Sequence, residues 1–244
     1  MLQVGSFDYK TMETTETDSR EALVEPLSVG WHAVAISPFQ PGDAALVLGG
    51  GPIGLSVIQA LKARGCDKII VSEVSSMRKD YARDFGAHYI LDPTKDDIVK
   101  RCRELVDGKG VHLAFDAAGV QAALNEAVRA VRARGTVVNI AIWEKPFQLQ
   151  PSDMIFRERK WIGVATYVKG DFQEVLAAIS SGKMKNVEKV RNTQFYGRRQ
   201  VLTTSSMITK RIGLDEVVEG GFKALVKDKD RQVKILVRAG DGEV

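Results

Sequence analysis

The fold is decided by the stretch Ala45-Leu46-Val47-Leu48-Gly49-Gly50-Gly51-Pro52-Ile53-Gly54. Its four leading apolar residues are typical of a short strand that is buried on both faces of a sheet. Gly49, Gly51 and Gly54 follow with the spacing G-x-G-x-x-G, and apolar residues at helical intervals predict a helix from 53 to 64. Strand, glycine turn and helix in this order predict the first unit of an α/β domain.

The three glycines have separate predicted roles. Gly49 permits a tight turn, Gly51 lets the backbone approach phosphate groups, and Gly54 lets the helix pack close to the strand. Glu73 ends the second predicted strand 19 residues after Gly54, where a carboxylate can accept hydrogen bonds from ribose hydroxyls. The pattern therefore predicts a dinucleotide, NAD, held at the positive end of the helix dipole. The alternative interpretation is a structural turn that binds nothing.

Downstream of this unit, strand patterns alternate with helical patterns of about ten residues, which predicts a parallel sheet with helices on both faces. The predicted strands are 68–72, 89–91, 112–115, 137–140 and 161–165, and the predicted helices are 76–85, 97–106 and 122–133. A further helix is expected upstream, at 26–36. After residue 165 the alternation fades into two helical patterns, 172–179 and 214–226, and a strand at 233–237. The fold class is therefore α/β, a Rossmann doubly wound parallel sheet with remnants of a second domain.

A membrane helix is the competing interpretation of the span 44–61, because its 18 residues carry no charge. Gly49, Gly50, Gly51 and Pro52 lie in the middle of that span and would break such a helix. Strand, turn and helix explain the same residues better, so no membrane insertion is expected.

Composition narrows the class of protein. The chain has 35 basic and 31 acidic residues, and its basic residues are dispersed, which argues against nucleic acid as a partner. Two cysteines are too few for a disulfide framework and favour a reducing compartment, the cytoplasm. The first twenty residues are polar and lack the apolar core of a secretion signal.

The run Gly49–Gly54, with Pro41-Gly42-Asp43 before it, resembles the medium-chain zinc alcohol dehydrogenases. Further matches resemble the sorbitol and butanediol dehydrogenase branch: Leu23–Ala33, Ser72-Glu73 with Arg78, Asp116–Gly119, Asp171-Phe172 and Val233–Val237. The resemblance implies hydride transfer between NAD and a small-molecule secondary alcohol or polyol. It also implies zinc in the intact enzyme and a homo-oligomer.

The resemblance further implies which residues contact the cofactor. Ile53 would pack on the adenosine side and Arg78 would lie near the adenine or ribose. Residues 140–142 would line the nicotinamide, with 164–166 next to them. The full set implied is Gly49, Gly51, Pro52, Ile53, Gly54, Glu73, Arg78, Ala118, Gly119, Ile140, Ala141, Ile142, Val164, Ala165 and Thr166. No catalytic residue is assigned.

The metal site of the family has little counterpart in this chain. Glu25 matches an acid at or beside the catalytic zinc, although its position equally suits a carboxylate near a helix N-terminus. The family's zinc-binding cysteine and His-Glu pair belong to an N-terminal catalytic domain, where this chain has about twenty unrelated polar residues. The histidines and cysteines that this chain does have, at 32, 66, 88, 102 and 112, show no metal-ligand spacing. Zinc is therefore doubtful here.

These matches divide the chain into an atypical N-terminus (1–22), an NAD-binding domain (23–166) and a C-terminal segment of the catalytic domain (167–244). An insertion at 186–206 interrupts the last segment, and its polar, basic sequence predicts a solvated, mobile loop without strand periodicity. Two other functions stay open. One is a truncated NAD-binding module without catalysis, and the other is an S-adenosylmethionine methyltransferase, against which the sixth strand and Asp116–Gly119 argue.

Overall fold

The computed structural model of this chain describes residues 21–184, 192–196, 199–203, 207–228 and 231–237. Its centre is a six-stranded parallel sheet with the order β3-β2-β1-β4-β5-β6. The strands are β1 Ala44–Leu48, β2 Lys68–Ser72, β3 Tyr89–Leu91, β4 Val111–Asp116, β5 Val131–Asn139 and β6 Lys160–Gly163. This order, with its reversal between β1 and β4, is the doubly wound arrangement that the sequence predicts.

Helices cover both faces of the sheet. They are α1 Glu21–Ile36, α2 Pro52–Ala63, α3 Ser76–Asp84, α4 Ile98–Leu105, α5 Gln121–Ala130, α6 Pro151–Ile155 and α7 Lys169–Ser180. One hydrophobic cluster joins α1, α2, α3 and α7 to one face, and a second joins α4 and α5 to the other. Within the described ranges, no helix has the length and apolar character that crossing a bilayer requires.

Strand β1 shows why the sheet needs two helical layers. All five of its residues are buried. Ala45 and Val47 belong to one cluster, whereas Ala44, Leu46 and Leu48 belong to the other. Successive side chains of a strand point to opposite faces, so a continuous apolar run is stable only when both faces are covered. The predicted buried strand is confirmed.

Helix α1 is longer than predicted, because it begins at Glu21 and contains Pro26. A proline in the second turn removes the backbone hydrogen bond to Ala22 but leaves the rest of the helix intact. Leu23 and Leu27 are fully buried on both sides of it, so tertiary packing offsets the lost bond.

The boundary between α5 and β5 was predicted wrongly, since the helix ends at Ala130 rather than at residue 133. Val131 is buried and already pairs with Val111 of β4. The Arg159 guanidinium donates to the carbonyl of Val131 at 2.9 Å. These partners lie far away in the sequence, and they favour an early start for the strand over the helical propensity of residues 131–133.

The C-terminal part holds smaller elements. The segment 214–226, predicted as a helix, contains a π-helix, Val217–Lys223, which is followed by α8, Ala224–Lys227. The predicted final strand is confirmed as β10, Lys234–Val237, which pairs in parallel with β9, Ile208–Ile212.

The prediction of a loop without strands at 186–206 was wrong. Strands β7, Asn192–Tyr196, and β8, Arg199–Thr203, pair antiparallel there. Both strands contain β-branched or aromatic residues, which favour strand formation. The prediction of a loop gave more weight to the polar composition of the segment. The rest of 186–206, and residues 1–20 of the predicted N-terminus 1–22, lie outside the described residues.

Candidate functional site

The glycine loop joins β1 to α2 at the carboxyl edge of the sheet. Gly49 has φ +95°, a conformation that L side chains rarely adopt, and its amide donates to the Ser72 carbonyl at 2.9 Å. A Cβ added at Gly54 would lie only 1.9 Å from the carbonyl oxygen of Gly49. The predicted turn at Gly49 and close packing at Gly54 are thus both present.

Gly51 differs from the other two glycines because the fold does not require it. Its φ of −75° and ψ of −174° suit any residue, and an added Cβ would meet only the Arg78 Nη1 atom, at 3.9 Å. Among the described side chains, none caps the N-terminus of α2, which starts just after Gly51. The open space and the uncapped helix end together leave room for an anion.

Glu73 ties the glycine loop to the loop after β2. The residue is 6% exposed; its Oε2 accepts the Gly50 amide at 2.6 Å and its Oε1 accepts the Ser75 amide at 2.7 Å. Hydrogen bonds to a charged acceptor are the stronger kind, so this carboxylate is held in place. Each oxygen has a second lone pair that can accept from a ligand hydroxyl.

Gly50 is a site residue that the sequence pattern did not single out. A Cβ there would lie 3.1 Å from Glu73 Oε2 and 3.2 Å from the Arg78 carbonyl. The only signal in the sequence is that Gly50 stands inside a run of three glycines, and the fingerprint leaves that position free.

Arg78 lies on α3, in the first turn, where its amide donates to the Ser75 hydroxyl. The guanidinium end lies beside Gly51, at the mouth of the glycine loop. The structure therefore brings together Glu73, Arg78 and the loop, as the resemblance implies.

Asp116 organises the two loops that follow β4 and β5. Its buried Oδ1 accepts the amides of Ala118 and Gly119 at 3.0 and 3.1 Å, and its backbone carbonyl accepts those of Ile140 and Ala141. Burial raises the pKa of this carboxyl group, and the two amides partly oppose that shift. Asp116 was not among the predicted site residues, although Asp before two small residues and a glycine is typical of a side-chain-closed turn.

A cleft of about 530 Å³ lies between these two loops. Ala118, Gly119 and Ile142 line it, and the Ile142 side chain is 94% exposed. Val164 follows β6 and is buried, with its amide bonded to the Asn139 carbonyl, whereas Ala165 and Thr166 are exposed. All the predicted cofactor residues thus fall on loops or helix starts at the carboxyl edge of one sheet.

Each of the three histidines has a contact within the fold through its Nδ1 atom. His88 Nδ1 accepts the Ile69 amide and His112 Nδ1 accepts the Ala44 amide, both at 3.0 Å. His32 Nδ1 lies 2.9 Å from Asp171 Oδ2.

The two cysteines lie apart on opposite faces of the sheet. Burial raises the pKa of both Cys66 and Cys102 to about 12. Because they lie on opposite faces of the sheet, the two thiols cannot bind one metal ion together.

Glu25 is exposed on α1, and the described part of the chain holds no group of three or more His, Cys, Asp or Glu that could bind a metal ion. A catalytic zinc needs about three protein ligands. The donors that the structure describes therefore do not fit the family's zinc.

Comparison with known proteins agrees with this geometry. (R,R)-Butanediol dehydrogenase of Bacillus subtilis is 39% identical over 218 residues, which cover 89% of this chain and 57% of the relative. The corresponding enzyme of Saccharomyces cerevisiae is 36% identical over 222 residues, covering 88% and 53%. The crystal structure of the B. subtilis 2R,3R-butanediol dehydrogenase superposes with a TM-score of 0.77 and 38% identity, covering 90% of this chain and 57% of that one.

The chain thus spans little more than half the length of these relatives. The family model described as zinc-binding dehydrogenase matches residues 52–181, which run from the start of α2 to the end of α7. With the glycine loop, the strand order and this match in agreement, the chain belongs to the zinc-binding dehydrogenase family.

Proposed function

We propose that this chain binds NAD along the carboxyl edge of its sheet, as part of an oxidoreductase that acts on butanediol or a related polyol. The observation that carries the proposal is the Glu73 carboxylate, held 2.6 Å from the Gly50 amide beside an open, uncapped helix start. Besides tying two loops together, this carboxylate keeps lone pairs that can accept from the ribose hydroxyls of a dinucleotide.

Each part of the dinucleotide has a matching surface. The pyrophosphate would lie on the backbone of Gly51 and the first turn of α2, with Arg78 beside it. The adenosine ribose would donate to Glu73 with Ile53 packed below. The nicotinamide would enter the cleft between the loops after β4 and β5, near Ile142. NAD, when bound, supplies the hydride chemistry, and these residues orient it.

Two further features of the proposal come from the resemblance. The substrate would be a small secondary alcohol or polyol, and the protein would form a homo-oligomer. The alternative is a chain that binds NAD without catalysis, since the residues that the structure describes hold no group of zinc donors. A methyltransferase that uses the same glycine turn is the other alternative, and calorimetry with S-adenosylmethionine in place of NADH tests it.

The first prediction is a preference for NADH over NADPH of roughly tenfold to a hundredfold. A carboxylate at Glu73 gains hydrogen bonds from the ribose hydroxyls, each contributing about 1.5–3 kcal/mol, whereas it repels a 2′-phosphate. Calorimetric titration of the chain with each reduced cofactor measures the ratio of the two dissociation constants.

Glu73→Gln should shrink that ratio, because it removes the charge and keeps the size of the side chain. Glu104→Gln on α4 is the matched control, since Glu104 is exposed and pairs with Arg101, away from the glycine loop. Equal or tighter binding of NADPH by the unmodified chain would refute the assignment of Glu73.

The second prediction is that the 244-residue chain on its own does not oxidise butanediol or sorbitol at a useful rate. Hydride leaves the carbon readily only when the hydroxyl loses its proton, and an alcohol is far too weak an acid at neutral pH. The described residues hold no set of zinc ligands. The negative charge on the deprotonated alcohol oxygen would therefore have no metal ion to stabilise it. The measurements are zinc content by elemental analysis and NADH formation with each alcohol.

The NADH-binding titration above is the positive control, because it shows that the tested protein is folded. Stoichiometric zinc together with steady turnover would contradict the prediction and show that the chain holds a complete set of zinc ligands.

A further inference from the structure

A second cleft lies at the opposite, amino edge of the sheet, away from the glycine loop. Its volume is about 430 Å³, and it is lined by Arg103, Gly108, Lys109, Arg132, Ala133 and Arg157. This size is within the range of small-molecule sites. Four of the six lining residues are cations.

Backbone hydrogen bonds hold the cationic segments around the cleft. The Gly108 amide donates to the Arg103 carbonyl at 2.8 Å, which folds the loop after α4 back toward that arginine. The Arg134 amide donates to the Arg157 carbonyl at 2.8 Å, which joins the start of β5 to the turn after α6. The cleft is therefore built by the fold rather than by mobile side chains alone.

The four cations have no ion-pair partner in the part of the chain that the structure describes. The Nε atom of Arg132 is buried and lacks any hydrogen-bond partner in those residues. A buried donor without a partner is rare in proteins and calls for a specific explanation, such as an absent ligand.

Neighbouring carboxylates are engaged elsewhere. Asp153 pairs with Arg129 at 3.3 Å and Glu158 pairs with Arg134 at 2.6 Å. Asp107, next to Gly108, is exposed and supplies one negative charge. Burial is the main cause that lowers the pKa of the neighbouring Arg159, and the charges of Arg157 and Arg103 lower it further while Asp153 opposes them.

Helix ends offer a simpler reason for cations at this edge, because α4 and α5 both point their negative ends toward it. Each helix supplies the equivalent of about half a negative charge. Two helix ends and Asp107 therefore offset about half of the charge of Arg103, Lys109, Arg132 and Arg157. A net positive concave site remains.

We propose that this cleft binds a diphosphate group, either as inorganic pyrophosphate or as part of a nucleotide. Three guanidinium groups match the geometry of phosphate oxygens, which accept paired hydrogen bonds from arginine. A diphosphate brings several negative charges into one small volume and so balances several unpaired cations at once. This site is independent of the NAD site, from which the sheet separates it.

The test is an amide-resolved NMR titration of the full chain with inorganic pyrophosphate, and a second titration with ADP. The amides of Gly108 and Ala133 are expected to shift saturably, with a dissociation constant below about 1 mM. Shifts confined to Gly50 and Gly51 would overturn the proposal while supporting the NAD site. Absence of saturable binding of either probe would also overturn it.

Arg132→Gln and Arg157→Gln should each weaken binding roughly tenfold, the loss expected for a hydrogen bond to a charged group. Arg101→Gln is the matched control. It also removes one positive charge, but Arg101 lies on α4, does not line the cleft and already pairs with Glu104. Equal weakening by the control would mean general attraction to positive charge, and the proposal would fail. Tighter binding of ADP than of pyrophosphate would assign the group to a nucleotide, and equal binding would assign it to free diphosphate.

Discussion

Gly54→Ala is expected to destabilise the chain by about 4 kcal/mol or more, within the range of exceptional single substitutions. The added methyl group would lie 1.9 Å from the Gly49 carbonyl oxygen. That oxygen and the Gly54 Cα that carries the methyl group are both backbone atoms, and they cannot move apart without separating α2 from β1. Since a domain of this kind is stable by only about 5–15 kcal/mol, the substitution should remove a large share of that stability and lower the urea midpoint clearly. Urea unfolding followed by circular dichroism measures the loss.

Gly170→Ala is the matched control for this experiment. Gly170 also lies in the first turn of a helix, α7, but a Cβ there meets nothing within 4 Å. Alanine should therefore leave stability unchanged or raise it by about 0.5–1 kcal/mol. A Gly54→Ala protein with the same unfolding midpoint as the unmodified chain would show that the contact between α2 and the loop is not tight.

Gly51→Ala is expected to weaken NADH binding roughly tenfold to a hundredfold while leaving the fold intact. Its backbone angles suit alanine, and the new methyl group would contact only the end of Arg78. The methyl group would, however, fill the space in which the pyrophosphate approaches the backbone. Calorimetry gives the dissociation constant, and urea unfolding gives the stability of the same sample.

The two readouts separate a binding role from a structural one. Gly170→Ala again serves as control and should leave NADH binding unchanged. If Gly51→Ala bound NADH as tightly as the unmodified chain, the pyrophosphate would not pass over Gly51. If it lost stability as Gly54→Ala is expected to, the open space beside Gly51 would be wrongly described.

Much of the fold could be predicted because its signals are local. The alternation of apolar strands and amphipathic helices can be recognised within short segments of the sequence. The sheet and most of its helices could therefore be predicted. The predicted ends of helices and strands were wrong where contacts with residues distant in the sequence decide them. Val131 leaves its helix early because Val111 pairs with it and Arg159 binds its carbonyl, and both partners are about twenty or more residues away.

The candidate site was predictable to a similar extent. Gly49, Gly51, Gly54 and Glu73 could be selected because a spacing rule connects them. Asp116 could not be selected with the same force, because its importance comes from holding two loops that belong to different strands. Sequence distance hides such a role.

The sequence by itself determined the strand–glycine–helix unit, the acid at the end of the second strand and the family resemblance, since each depends on spacing along the chain. Only the tertiary structure decided that Gly50 must be small, since the Glu73 carboxylate lies over it, and that Cys66 and Cys102 are buried on opposite faces of the sheet. It also decided that basic residues dispersed in the sequence meet in one cleft at the amino edge. The physical reason is that burial and charge clustering depend on distances in space, and a parallel sheet brings strand ends together that are far apart in sequence.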